Sequence, residues 1–183
     1  MDRAAAIELC RQKAGKETTV RHLISVEGVM RALARRFGED EDLWALTGLF
    51  HDLDQDQTHD DPDRHAYLAA EWLREAGVDE RVVNGVLAHA HEQFRTDLMS
   101  KAVVHADAVA GLLVAAALVR PEKAAGMKVS SVKKKLKEKA FAPGVDRDEV
   151  ISVEDSIGLP LDEFLAVGID GLQGVAPEIG LAP

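Results

Sequence analysis

Apolar residues recur at three- and four-residue steps along nearly the whole chain, and no stretch alternates apolar with polar over a strand's length. That periodicity predicts helices and no sheet. Capping and breaking residues divide the pattern into nine helices. Asp2 to Ala14 is the first, closed by Gly15, and Thr18 or Thr19 caps a second that stops at Gly38. Asp40 to about Leu53 is the third. The aspartates Asp60, Asp61 and Asp63, with Pro62, are expected to cap a fourth that ends at Gly77. Asp79 to His91 follows, then Asp97 or Ser100 to Val119, ended by Pro121, and Ser130 or Ser131 to Phe141. The segments after Asp146 and Pro160 complete the set. The last stretch, Gly171 to Pro183, is rich in glycine and proline and is expected to be loosely held.

Composition narrows the class. A chain of 183 residues that is 46% hydrophobic and 30% charged can bury one core, so a single domain over 1–183 is expected. The net charge of −10 argues against a general nucleic-acid binder or a membrane-surface binder. That charge is unevenly spread, because Arg120 to Arg147 holds nine basic and three acidic residues. Cys10 is the only cysteine, which excludes an internal disulfide framework and a cysteine zinc finger. The opening residues show no secretory signal, so a cytoplasmic location is expected. Ala102 to Val119 approaches the length of a membrane span, but His105 and Asp107 interrupt it. A charge at a bilayer centre costs about 2.5–3.5 kcal/mol on insertion scales, so a buried core helix is the better reading.

Several polar residues stand where the pattern calls for apolar ones. The third helix is apolar on nearly every side from Leu43 to Phe50, the mark of a buried helix, and His51-Asp52 follows at once. Asp107 shares a face with Val103, Ala110, Gly111 and Val114, among the small residues Ala106, Ala108 and Gly111. His22 aligns with Val26, Val29 and Leu33, His65 with Trp72, and His89 with Val82 and Val86. His91 and His105 are turned about 200° from His89 and Asp107, so they read as structural or surface residues, and His59 as solvated. A lone inward histidine is usually a hydrogen-bonded core residue. Three of them beside a buried His-Asp pair and a buried aspartate point to metal, since buried charges are paired or coordinated. Imidazole with carboxylate is the donor set for Mn, Fe, Co, Ni or Zn.

The order of these residues, His22, then His51-Asp52 within GLFHDLD, then Asp107 within HADAVAGLL, resembles the HD-domain metal-dependent phosphohydrolase superfamily over about Val20 to Val119. The stretches AALVRP and SVKKKLKEKAFA extend the likeness, to small bacterial and archaeal HD proteins, as far as about Phe164. The resemblance implies an all-α, HD-domain-like helical bundle with extra C-terminal helices: a metal-binding core over about 18–120, and a basic and C-terminal helical segment over 121–183. It implies one divalent metal held by His22, His51, Asp52 and Asp107. In binuclear members the Asp of the pair bridges to a second metal held by histidines on the next two helices, positions that His65 and His89 match. Here His89-Ala90-His91 replaces the adjacent His-His pair of some members, so a second metal is open. The acidic pair of the alarmone hydrolases is not evident.

The resemblance makes a small phosphorylated substrate or nucleotide the expected ligand, cleaved through a metal-activated water that Asp52 orients. Asp56, one turn beyond Asp52 if the helix continues, is the first choice for carrying the leaving group's proton, and Asp54 the second. For the phosphate, Arg21 beside His22 is one candidate. The other is the basic segment, above all Lys134 and Lys137, at the mouth of the site. Three other functions stay open at this level: a di-iron oxygenase using His65 and His89, a non-catalytic metal- or ligand-binding module, and a plain bundle with satisfied core histidines. The apolar C-terminal helices could cover the core or form a homodimer contact.

Overall fold

The computed structural model describes all 183 residues, Met1 to Pro183. Eleven α-helices and one short 3-10 turn, Glu92–Phe94, make up its regular structure, with no strand. The helices are α1 Arg3–Lys13, α2 Glu17–Phe37, α3 Glu41–Phe50, α4 Gln55–Thr58, α5 Tyr67–Glu75, α6 Glu80–Ala90, α7 Leu98–Leu118, α8 Val129–Lys137, α9 Arg147–Ile151, α10 Val153–Ile157 and α11 Leu161–Val175. The all-α fold is the expected one.

The helix starts follow from local chemistry. Asp2, Asp40, Asp79, Asp97 and Asp146 each accept backbone N–H bonds at a helix N-terminus, satisfying donors that have no partner within the helix. At α7, Asp97 and Ser100 both act, as a reciprocal capping box. Two expected caps are corrected. Neither Thr18 nor Thr19 caps α2, which begins at Glu17 without a side-chain cap; Thr19 Oγ1 instead donates to Asp56 Oδ2 at 2.8 Å. Asp60, Asp61 and Asp63 cap nothing, because α5 begins only at Tyr67, after Ala66 in a left-handed conformation.

α2 and α7 are the long central helices. α2 packs on α3, α7 and α11, and α7 packs on α2, α6, α8, α9, α10 and α11. α7 is long and apolar enough to cross a membrane by length and composition, but 67% of its apolar window is buried within the bundle. It therefore serves as the core strut that its sequence interruptions suggest. α2 meets α11 at van der Waals contact between backbones, at Gly28 and Gly171.

The C-terminal stretch is a correction. Residues from Gly171 to Val175 continue α11, and Val175, Ala176, Ile179 and Leu181 are all buried. Ala124 N donates to Leu181 O at 3.1 Å, Gln173 Nε2 to Ala124 O at 2.9 Å, and Arg3 holds Glu178 at 3.0 Å. Gly180, at φ +74°, turns the chain so that Ile179 and Leu181 both face inward.

Cys10 is fully buried, and its thiol donates to Leu49 O at 3.4 Å. Burial, with Glu27 nearby, pushes the thiol up to about 12, so at pH 8 about one molecule in ten thousand carries a thiolate. Alkylation of the native protein at pH 8 should proceed only at the rate of unfolding. Rapid labelling without denaturant would contradict this packing.

Candidate metal centre

The centre is assembled from five helical segments. His22 comes from the first turns of α2, and His51 and Asp52 lie at the C-terminal end of α3. His65 comes from the turn before α5, His89 from the last turn of α6, and Asp107 from the middle of α7. His51 is wholly buried, and its Nδ1 stands 2.7 Å from Gly48 O. A carbonyl can only accept, so Nδ1 carries the proton and Nε2 turns its lone pair to the centre.

Two sets of donor atoms converge. His22 Nε2 lies 3.2 Å from His51 Nε2 and 3.0 Å from Asp107 Oδ1. His51 Nε2 lies 3.6 Å from Asp107 Oδ1, and Asp52 Oδ2 lies 3.9 and 3.8 Å from the His22 and His51 nitrogens. The other Asp52 oxygen, Oδ1, faces the opposite way and lies 3.2 Å from both His65 Nε2 and His89 Nε2. Asp52 thus stands between the two sets with one oxygen toward each. Behind His65, Asp54 Oδ1 is 3.0 Å from Nδ1 and Thr58 Oγ1 is 3.2 Å away, which orients the ring.

The donor set fits a divalent metal. Ligands bonded at about 2.1 Å to one ion stand roughly 3–3.5 Å apart, the spacing of the His22, His51 and Asp107 atoms. Asp52 Oδ1 is buried without an aligned hydrogen bond, and a buried carboxylate oxygen in that state is one that a cation satisfies. Burial pushes the Asp52 carboxyl up, but His51, His65 and His89 outweigh it and hold it well below the usual range. Asp107 is likewise raised by burial and lowered further by His22 and His51. Burial lowers His65, while Asp52 and Asp54 bring it to about 9. A metal binding beside His65 therefore displaces a proton.

The centre opens onto a cavity of about 530 Å³, where His22, His89 and Asp107 meet Arg95, Asp146 and Glu149. Ala108, Gly111, Ala142 and Gly144 also line it, so the small side chains at Ala108 and Gly111 of α7 leave room for a ligand. Arg95 is the one arginine or lysine on this wall. Its Nε donates to Ala88 O at 3.1 Å and its Nη1 stands 3.5 Å from Glu149 Oε1. No periodicity marks it, because it lies just past the 3-10 turn; an arginine two residues before the capped start of α7 was the only hint.

Other candidates lie elsewhere. The helix does not continue from Asp52 to Asp56: α3 ends at Phe50, and Asp56 sits on α4, tied to Lys16 Nζ at 2.9 Å, Thr19 and Gly15 N. Burial raises its carboxyl, and these partners outweigh it and keep it ionised, so Asp56 is an anchor for the α1–α2 turn. Asp54 is fully buried and accepts from Ala69 N at 3.0 Å. Lys134 and Lys137 line a separate depression with Lys133 and Asp162, one that shares no residue with the cavity of the metal centre. Arg21 is close to Glu17, at 3.5 Å, and lines an adjoining pocket with His22. His91 Nε2 meets His65 O at 2.9 Å, and His105 Nδ1 meets Glu149 O at 2.6 Å, so both are structural; His59 is exposed.

An all-helical bundle thus gathers four histidines and two aspartates into one cluster, three of them on the cavity wall, with a donor set able to hold a divalent metal. The chain belongs to the HD-domain family, whose model matches residues 19–118. Among curated proteins, the chain is similar to ribonuclease Y 2 of Levilactobacillus brevis, with 31% identity over 90 residues, 49% of this chain and 17% of that protein. It is also similar to ribonuclease Y of Aliarcobacter butzleri, with 30% identity over 93 residues, 51% of this chain and 18% of that protein. The match thus covers less than a fifth of the relatives' length. No solved structure matches the chain significantly.

Proposed function

We propose that this chain is a metal-dependent phosphohydrolase acting on a small phosphate ester or nucleotide. The observation that carries the reading is Asp52, set between two groups of histidine donors with one buried oxygen, which makes no aligned hydrogen bond, toward one of them. His22, His51, Asp52 and Asp107 would hold the first metal, and His65 and His89 with Asp52 a second. Such a metal supplies a water of lowered pKa and polarises a phosphoryl oxygen. The chain's own residues do the rest. Arg95, on the same wall, offers a guanidinium to the remaining phosphate oxygens. Asp146 is held as the cap of α9, and Glu149, 3.5 Å from Arg95 Nη1 and 3.7 Å from His105 Nδ1, is the cavity carboxylate that would pass a proton to the leaving group.

The relatives are named ribonucleases, so the comparisons lend no support to excluding nucleic acid on grounds of net charge. A compact ester is favoured because the cavity sets Asp146 and Glu149 against a single arginine, a poor match for a polyanionic strand. The test is turnover of p-nitrophenyl phosphate, nucleoside monophosphates and a single-stranded RNA by protein reconstituted separately with Mn, Fe, Co, Ni and Zn. Monoester turnover supports the reading. Preferential RNA cleavage moves the substrate to RNA, and turnover of none, or oxygen-dependent turnover with two irons per chain, overturns it. Arg95→Ala should raise KM about tenfold or more, as loss of a charge-assisted phosphate contact of ~1.5–3 kcal/mol implies, whereas Lys134→Glu with Lys137→Glu should leave KM unchanged. A KM that followed the lysines instead would move phosphate binding to α8.

A further inference from the structure

A second pocket, of about 270 Å³, opens beside the metal centre and meets the first cavity at His22 and Gly111, both of which line the two. Its character is different. Val114 and Leu118 of α7 form one side and Ile179 and Leu181 of the C-terminal tail the other, with Thr18, Arg21 and Ser25 at its α2 edge. Ser25 donates its only hydroxyl proton to Arg21 O at 2.6 Å. Leu118 is 58% exposed, a large apolar side chain left in water beside the pocket it helps to build. Gly111 offers no side chain at the junction, so nothing projects from that position between the pockets.

We infer that this pocket receives the hydrocarbon part of the substrate, so that the ester is one of phosphate with an apolar alkyl or aryl group. The phosphate would lie at the metal centre and the carbon chain between α7 and the tail. This rests on the phosphohydrolase reading and narrows its substrate class. A nucleoside fits less well, because a base and a sugar need several hydrogen-bond partners and the pocket supplies little beyond Thr18 and the Arg21 edge. Ile179 and Leu181 lie outside the matched HD domain, residues 19–118, so one wall of the pocket comes from beyond that domain. The tail is built to hold a wall: Arg3 grips Glu178, Ala124 N binds Leu181 O, and Gly180 turns Ile179 and Leu181 inward.

The test uses two matched series on the full metal-reconstituted chain. The n-alkyl phosphates from methyl to octyl report turnover, and the corresponding n-alkyl phosphonates, whose carbon–phosphorus bond is not cleaved, report binding by titration calorimetry. Phosphonate affinity should rise about fourfold per methylene until the pocket is full. Leu118→Gln should flatten that slope with little effect on the methyl compound, and Val119→Gln, its exposed neighbour outside the pocket, should not. Affinity independent of chain length, a slope untouched by Leu118→Gln, or nucleoside monophosphates preferred over octyl phosphate overturns the inference. Turnover with a flat series leaves the phosphohydrolase reading standing without it. A length-dependent phosphonate affinity with no ester turned over sinks the hydrolase reading instead, and keeps the pocket.

Discussion

Asp52→Ala is expected to lose metal from both positions and more than about 100-fold in turnover, beyond the 10–100-fold typical of outer partners. The reason is its double position. Oδ2 faces His22 and His51 while Oδ1 faces His65 and His89, so one side chain serves both donor sets. The fold should survive. His65 and His89, the imidazoles that Asp52 holds protonated more firmly, can shed their protons when it goes, so no charge is stranded in the core. Asp54→Asn is the contrast. Its carboxylate stands behind His65, so only the position shared by His65 and His89 should weaken, by about 10–100-fold. Metal per chain by plasma mass spectrometry, with thermal melts alongside, separates the cases. Full metal content in Asp52→Ala would remove the centre as drawn.

What the sequence made legible is what local chemistry decides. Inward histidines and a His-Asp pair after an all-apolar helix are anomalies visible in periodicity alone, and the structure brings His22, His51, Asp52, His65, His89 and Asp107 into one cluster. Aspartate caps at α1, α3, α6, α7 and α9 were likewise readable, because the donors they satisfy lie within three residues. What was hidden depends on contacts distant in sequence. Asp56 could be placed only by knowing that α3 stops at Phe50 and that Lys16 and Thr19 lie across from it. The tail looked loose because five of its thirteen residues are glycine or proline, yet Leu172, Val175, Ala176, Ile179 and Leu181 are buried, Val175 close to Gly28 of α2 and Leu181 tied through its carbonyl to Ala124 N. Lys134 and Lys137 lie on the expected helix, but the face they share looks toward Asp162 rather than the centre.

The same long-range packing sets the second large effect. Gly171→Ala should destabilise the protein by about 3 kcal/mol, at the upper end of what overpacking costs, and lower its Tm by roughly 6–12 °C. A Cβ at Gly171 would stand 2.4 Å from Gly28 O, and 2.8 Å from Gly28 C and Val29 Cα. All three are backbone atoms within α2, so no rotamer change relieves the clash and the helices must move apart. Gly174→Ala, on the same helix, meets nothing within 4 Å and should gain about 0.5–1 kcal/mol from the lower entropy cost of alanine in a helix. Opposite signs from one substitution type on one helix would isolate the crossing as the cause. Equal effects would show that α2 and α11 do not meet backbone to backbone. Because α2 also carries His22, Gly171→Ala should further weaken metal binding at the His22–Asp107 position, with no direct contact of its own to that centre.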